Sequence, residues 1–424
     1  MSEDIILQKF MEPARWVKAL HKGVDKDIPK SVLYQLTKEE TRLRLYQAVK
    51  SGRYEIAPPH TAQIPKEEKG EYRTVYVNEP TDRIFLSIAN DLLFELMPEM
   101  IHKNCKSYLS GTGCGDVVIG ISSAIMKAEG KTIGFKADLS KYFDSVPLEF
   151  IDDAFDKVED KWGKSKVIDV LRSYYHSDWY FDLDGVLKSN YQSLKQGCAV
   201  AAWLADVVLR HIDVALTMMS DRDEGIYIRY SDDILYIGKN YKKAMATLSE
   251  MLQNMDMKLN PKKVELLSKD KWFKFLGFSI KGGERSMSKT RLKKFQKEIE
   301  ERTKHGVSYE KAINNVNRFL YKGNGEFSWA TSVLKVINVP EDLITLNNFI
   351  MDRIRACKTD HHKVGGLGYV VDQKKGCIVR GKGKNVKANR EKTEKEIDGY
   401  LTLLCMKNAL MTRRAVYNTL VAML

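Results

Sequence analysis

Apolar positions recur at three- and four-residue intervals through Ser31-Val32-Leu33-Tyr34 and Leu43-Arg44-Leu45-Tyr46, a spacing that predicts helices over residues 1–56. Pro58-Pro59 ends that region. Residues 61–79 then read as a β-hairpin. One arm is Ala62-Gln63-Ile64-Pro65-Lys66, the turn is Glu67-Glu68-Lys69-Gly70, and the return arm Tyr72-Arg73-Thr74-Val75-Tyr76-Val77 is rich in aromatic and β-branched residues. Helices are expected at 82–102, 115–129, 147–175, 197–219 and 240–256. Short apolar runs at Thr132–Ala137, Ile226–Tyr230, Asp233–Gly238 and Lys274–Ile280 predict strands. Strands and helices alternate without a βαβ rhythm, which predicts an α+β fold with helices on one face of a sheet. Beyond Gly282-Gly283 the pattern is mainly helical, at 289–304, 308–321, 340–357 and 391–423. A Gly/Lys-rich stretch, Val364–Arg390, interrupts it as a hairpin or a mobile basic loop. The expected divisions are 1–130, 131–284 and 285–424.

The 424 residues suffice for two or three packed units, and 43% apolar with 29% charged residues excludes wholesale disorder and a membrane bundle. The most apolar stretch, Ala199–Leu209, is broken by Asp206 and is shorter than the roughly 18–20 residues a membrane span needs. The acidic start Met1-Ser2-Glu3-Asp4 is unlike a secretion signal, so the expectation is a soluble, cytoplasmic protein with no membrane partner. Charge changes the picture more. The net charge is +13, and residues 285–424 carry 28 Lys and Arg against 14 Asp and Glu, whereas residues 1–284 are balanced at 41 against 42. A segregated basic third points to a polyanion, nucleic acid before anionic membrane, with a solubilising surface as the plain alternative. The six cysteines form no C-x-x-C pair and are expected as reduced packing residues; His361-His362 is read as a loop pair.

The chemistry concentrates in Arg229-Tyr230-Ser231-Asp232-Asp233-Ile234-Leu235-Tyr236, two adjacent acids between short apolar strands, as at the tip of a tight hairpin. A second acid, Asp138, ends the strand Phe135-Lys136-Ala137 and is followed by Leu139-Ser140-Lys141-Tyr142-Phe143-Asp144. Bringing Asp138 beside Asp232 and Asp233 would crowd like charges, which cations must offset. Carboxylate oxygens suit Mg²⁺. Two such ions about 3.5–4 Å apart serve in-line phosphoryl displacement, the chemistry of nucleotide polymerisation.

With these motifs in order, the sequence resembles the reverse transcriptase family over about residues 60–283. The resemblance implies a right-hand polymerase fold: fingers and palm of antiparallel sheet plus helices, and a helical, basic thumb. It implies that Lys66 and Arg73 hold the incoming dNTP triphosphate, that Phe143 rejects a 2′-hydroxyl by bulk, and that Gln196-Gly197 opens the helix beneath the nascent base pair. Asp138, Asp232 and Asp233 become the catalytic acids; with Leu139 they form the metal set for two Mg²⁺, with Mn²⁺ as a substitute. Lys263, in Met257-Lys258-Leu259-Asn260-Pro261-Lys262-Lys263, would protonate the leaving pyrophosphate. Phe275-Leu276-Gly277-Phe278 matches the primer-grip hairpin, and Tyr230, Arg291, Lys293 and Lys294 join the primer and template contacts. Asp82-Arg83 and Lys106-Ser107-Tyr108 fall where bacterial and intron-type members have similar residues. The basic clusters Arg318-Phe319-Leu320-Tyr321-Lys322 and Lys374, Lys375, Lys382, Lys384, Lys387 and Arg390 fit an A-form duplex gripped through phosphates; Phe295 and Tyr321 are read as packing.

The sequence departs from many intron-type members at Ala201-Ala202, where those have Ser-Pro. It most resembles the bacterial unknown-group enzymes, and within them class 2 defence-associated reverse transcriptases. That implies a structured non-coding RNA template, a DNA product in an RNA–DNA duplex, and a role against phage. Competing readings are untemplated or protein-primed synthesis from a hydroxyl such as those in Ser173-Tyr174-Tyr175, a non-catalytic maturase-like RNA-binding protein, and an NTP-using polymerase. Gly111-Thr112-Gly113-Cys114-Gly115 is read as a crossing loop, Asp144 as a structural partner, and His60, His102, His176 and His211 as surface or core residues.

Overall fold

A computed structural model describes residues 3–25, 28–66, 70–108, 113–324, 327–360, 362, 369–372, 377–380 and 397–424. The chain forms two compact units, Met1–Ser110 with Ile133–Leu266, and Gly111–Thr132 with Leu267–Leu424. The architecture is α+β.

The first unit holds two sheets. In one, β1 (His60–Pro65) and β2 (Tyr72–Val77) form the expected hairpin, with Ile64 opposite Arg73. In the other, β3 (Gly134–Asp138) is sequence-distant from its neighbour. The two strands that complete the first sheet, β4 (Trp179–Phe181) and β5 (Leu187–Ser189), escaped the periodicity reading because each has three residues and β5 is exposed throughout. The order in that sheet is β2-β1-β4-β5. The second sheet adds β6 (Ile226–Tyr230), β7 (Asp233–Ile237) and β8 (Glu265–Leu267) in the order β6-β7-β3-β8.

Helices Ile5–Phe10, Pro13–Asp25, Lys30–Thr37 and Glu39–Lys50 meet the expectation for the N-terminal stretch. Phe10 and Trp16 are fully buried, and Trp16 Nε1 donates to the Phe10 carbonyl at 3.1 Å. Asp82, near the start of helix Pro80–Leu96, accepts from Tyr54 Oη at 2.6 Å and from the Ala57 amide at 3.0 Å, tying that helix to the N-terminal segment. The expected helix over 147–175 is two, Leu148–Trp162 and Lys166–His176. Gly163 at φ +82° ends the first, and the Ser165 hydroxyl caps the second by accepting from the Val167 amide. The core gathers Phe85, Phe135, Phe155, Trp203 and Tyr236, all fully buried.

In the second unit β9 (Phe273–Phe275), β10 (Phe278–Lys281) and β11 (Glu284–Met287) make a three-stranded meander. The single strand expected over 274–280 is therefore a hairpin, because Leu276 and Gly277 both take positive φ, +49° and +76°, and turn the chain. Of the Gly/Lys-rich stretch the described residues are β12 (Tyr369–Asp372) and β13 (Cys377–Arg380), which pair antiparallel; the rest of it lies outside the described residues. Helices Lys289–Arg302, Tyr309–Asn317 and Pro340–Thr359 follow the sequence pattern, each of the first two capped by a serine hydroxyl. The expected helix over 391–423 is corrected. Residues 391–396 of it lie outside the described residues; residues 397–402 are not helical, and beyond them, with Thr402 as cap, the chain is helical over Leu403–Thr412 and, after a break at Arg413, over Arg414–Ala422. Residues 318–322 and 330–334 are π-helical rather than α-helical. Cys105, Cys114, Cys198, Cys357 and Cys405 are free thiols. Among the described residues no helix is long and apolar enough to cross a membrane.

Gly134 shows how tightly β3 is held. A Cβ there would stand 2.0 Å from the Tyr236 carbonyl oxygen, an overlap only a backbone shift can relieve. Gly134→Ala is expected to destabilise the first unit by about 1–3 kcal/mol, read as a lower urea midpoint at unchanged m-value.

Candidate active site

Strand register builds the site. β3 pairs antiparallel with β7 so that Asp138 lies directly opposite Asp233. β6 pairs with β7 so that Tyr230 faces Asp233, which leaves Ser231-Asp232 as a two-residue turn. Ser231 takes φ +58°, the left-handed first position that a type II′ hairpin turn requires. The Leu139 amide donates to the Asp232 carbonyl at 3.2 Å, and the Asn260 amide donates to the Asp138 carbonyl at 2.8 Å. These bonds bring the segment around Pro261–Lys263 beneath the acids, and Lys263 Nζ reaches Asp138 Oδ2 at 2.8 Å. All three acids and the lysine thus come together from three separate stretches of chain.

Their charges oppose one another. Burial, then the Asp232 and Asp138 carboxylates, push Asp233 up to about 6. Burial and Asp138 raise Asp232 as well, against a smaller opposing pull from Lys263 and Arg73. Burial works to lower Lys263, but its hydrogen bond to Asp138 and the three carboxylates outweigh it and raise its pKa. Three hard-oxygen acids with one ammonium are short of positive charge, and that donor chemistry fits divalent cations. Among the described residues no group of three or more His, Cys, Asp or Glu stands arranged as a closed metal site.

The fingers-hairpin residues point the same way. Arg73 is exposed and acts electrostatically on Asp232, Asp144 and Tyr108. Lys66, at the hairpin's end, pairs with Glu71 at 3.3 Å. The Gln196 carbonyl accepts from the Tyr76 amide at 2.7 Å, so the Gln-Gly turn lies along the edge of β2. Gly197 has φ +111°, and a Cβ there would meet the Tyr76 carbonyl oxygen at 2.7 Å; only glycine fits. Phe143 is half-buried, edge-on to Tyr142 at 5.6 Å, with its carbonyl accepting from the Leu194 amide. Helix Ala201–Val207 starts at the alanine pair, with Ala201 packed in the core.

A model of the family described as reverse transcriptase (RNA-dependent DNA polymerase) matches residues 64–280, just over half of the chain. The chain belongs to the reverse transcriptase family. Solved structures similar to this reverse transcriptase include apo telomerase from Candida tropicalis truncated from its C-terminal domain, at 15% identity and TM-score 0.44, covering 57% of this chain and 58% of that one. The apo telomerase from the same organism gives 13% identity and TM-score 0.48, covering 86% and 69%. Telomerase from Candida albicans with a fragment of telomeric RNA gives 10% and 0.42, covering 92% and 68%. No curated protein matches.

In the second unit of this reverse transcriptase, Phe275 pairs with Phe278 across the Leu276-Gly277 turn. Arg291 does not stand out in solvent. Its guanidinium lies 4.2 Å from the Phe278 ring centroid and packs on Gly277, and burial lowers its pKa. Lys293 and Lys294 are exposed on helix Lys289–Arg302. Phe295 is buried 4.6 Å from Trp329, and Tyr321 is buried with its hydroxyl donating to the Leu401 carbonyl. Tyr174 and Tyr175 are buried at 3% and 1% exposure, which removes both phenols as priming hydroxyls. The expectations for Glu67–Lys69, Gly111-Thr112, His361 and the lysine cluster 374–390 with Arg390 lie outside the described residues.

Sequence reasoning gave no role to three residues around the site. Lys195 is 1% exposed, at φ +49°, with Nζ donating to the Ser177 carbonyl and to Gln192 Oε1, both at 2.7 Å. Burial pulls its pKa down to about 8. Arg229 and Ser107 lie wholly buried beneath the acid turn. The available signal was a lone arginine in the apolar run Ile226-Tyr227-Ile228-Arg229 together with Asp206 and Asp213 in apolar helices, since buried charges need partners.

The raised Asp233 pKa fixes the sign of two pH effects. Between its ordinary value and about 6 the folded, metal-free protein binds more protons than the unfolded chain, so stability declines as pH rises through that window. Asp233→Asn should therefore raise the metal-free Tm by a few degrees at pH 7.5 and leave it near wild type at pH 4, read by calorimetry at both pH values. The same substitution should abolish dNTP incorporation, and, because protons compete with the cations at Asp233, the Mg²⁺ concentration needed for wild-type incorporation should rise as pH falls.

Proposed function

We propose that this reverse transcriptase copies a bound, structured non-coding RNA into DNA. The observation that carries the proposal is the register that sets Asp138 opposite Asp233 with Lys263 hydrogen-bonded to Asp138. Asp138, Asp232 and Asp233, with the Leu139 backbone beside them, would hold two divalent cations, Mg²⁺ or Mn²⁺. Those ions would supply activation of the primer 3′-hydroxyl and stabilisation of the leaving oxygen. Arg73 and Lys66 bind the triphosphate, Lys66 exchanging its pairing with Glu71 for phosphate oxygens. Phe143 lies under the sugar and excludes a 2′-hydroxyl. Gln196 and Gly197 support the nascent base pair, and Lys263 Nζ hands a proton to the departing pyrophosphate. Phe275, Leu276, Gly277 and Tyr230 guide the primer end, Arg291 braces that hairpin by stacking on Phe278, and Lys293 and Lys294 meet the duplex backbone.

The finer reading is a bacterial, cytoplasmic enzyme of the class 2 defence-associated kind. Its support is the motif order and the basic C-terminal third, with 28 cations against 14 anions in residues 285–424. Purified protein, its co-purifying RNA, Mg²⁺ and labelled dNTPs should give DNA complementary to that RNA. Asp232→Ala/Asp233→Ala should lose at least about a thousandfold of the incorporation, as expected when charge stabilisation at the reacting phosphate is removed. Equal incorporation by both proteins overturns the assignment, and a product unrelated to the RNA overturns the templated version. Phe143→Ala should admit ribonucleotides, seen as a fall in the ratio of kcat/KM for dNTP over NTP; an unchanged ratio removes Phe143 from that role. Plaque counts on cells carrying wild-type or acid-variant protein with its RNA test the defence reading.

A further inference from the structure

Both backbone groups of Ser231, the left-handed residue of the acid turn, are held from beneath. Its amide donates to Ser107 Oγ at 3.0 Å, and its carbonyl accepts from Arg229 Nη1 at 3.2 Å. Ser107 in turn donates its hydroxyl to Asp206 Oδ1 at 2.5 Å. Arg229 is gripped by Asp213 through Nε at 2.7 Å and Nη2 at 2.6 Å, and donates to the carbonyls of Asp206 at 2.7 Å and Ala205 at 3.0 Å. Tyr227 Oη adds a bond to Asp213 Oδ1 at 2.7 Å. Ser107, Asp206, Asp213, Tyr227 and Arg229 are all 0% exposed.

This buried set reaches no reacting atom, yet both of its arms end on one turn residue. Stability alone accounts for it poorly. A buried ion pair is often matched or bettered by apolar packing of the same volume, and Asp206 Oδ2 is left with no hydrogen-bond partner. What the arrangement does supply is orientation. With the peptide groups on both sides of Ser231 tied down, the direction in which Asp232 and Asp233 leave the backbone is set against their mutual repulsion.

We propose that Ser107 and Arg229 are positioning residues that hold the Ser231 turn and thereby set the cation affinity of Asp232 and Asp233. The inference rests on the reading of those acids as metal ligands. Ser107 is the cleaner arm to test, because its loss removes one acceptor from the turn and leaves the Arg229–Asp213 pair in place.

The series Ser107→Ala and Ser107→Cys, in the full chain, grades that acceptor from absent to weak. Mn²⁺ binding is read without nucleotide from the paramagnetic resonance of the free ion. Mg²⁺ half-saturation, kcat and KM for dTTP are read on poly(rA)/oligo(dT). The alanine variant should bind Mn²⁺ about 10–100-fold more weakly, the usual loss when support behind a metal ligand is removed. Its Mg²⁺ half-saturation should rise in parallel and its kcat fall, while KM for dTTP stays within about twofold; the cysteine variant should lie between. If the alanine variant does not fold, the cysteine variant carries the same readouts. A folded variant that binds Mn²⁺ as wild type does, or that changes only KM for dTTP, overturns the inference. Asp232→Asn/Asp233→Asn separates the two levels. If that variant also retains Mn²⁺ binding, the ligand assignment itself falls; if it loses Mn²⁺ while Ser107→Ala keeps it, only the positioning role falls.

Discussion

Everything around the site answers to one electrostatic constraint: the register of β3 on β7 compels carboxylates to share a small, half-buried space. Like charges at that separation raise each other's pKa, as Asp232 and Asp233 show, and an isolated chain would separate them. The sheet forbids the separation because its ladder is fixed on both sides of Asp233, by Tyr230 and by Asp138. Cations from elsewhere in the chain offset part of the cost. Lys263 does so by contact and Arg73 at longer range.

The parts of this arrangement legible in the sequence were those whose cause is local. The apolar runs Ile226–Tyr230 and Asp233–Ile237 with two polar residues between them could hardly be anything but a hairpin, and Asp138 ended a run of the same kind. Gly197 was legible as a motif, but its reason, the Tyr76 backbone alongside, is visible only in three dimensions. What stayed hidden was decided by distant partners. Arg229 is buried because Asp213 is there to receive it, sixteen residues earlier on another element. Lys195 is buried because Ser177 and Gln192 present oxygens to it. β4 and β5 are too short for any period to register, and pairing between Trp179 and Ser189, and between His60 and Phe181, makes them strands.

The second unit illustrates a different ambiguity, that of the long cation. Lys and Arg can spread their apolar stems over a surface while the charge faces water, so a count of positive residues does not say which ones are available. Arg291 spends its plane on Phe278, and Arg302 stacks 4.1 Å from the Phe319 ring. Lys407 points its ammonium at three carbonyls, those of Leu334, Lys335 and Ile337. Part of the excess charge of the C-terminal third is therefore structural: Arg291 packs on the β9–β10 hairpin, and Arg302 and Lys407 each hold a π-helical segment.

The contact between Lys263 and Asp138 also bears on how the enzyme comes into being. A centre made only of acids must wait for its ions before the surrounding backbone can settle, as small zinc domains wait for zinc. Here an ammonium from the same polypeptide stands in as counter-charge. The folded site thereby draws part of its counter-charge from the chain itself, where three acids alone would need all of it from outside.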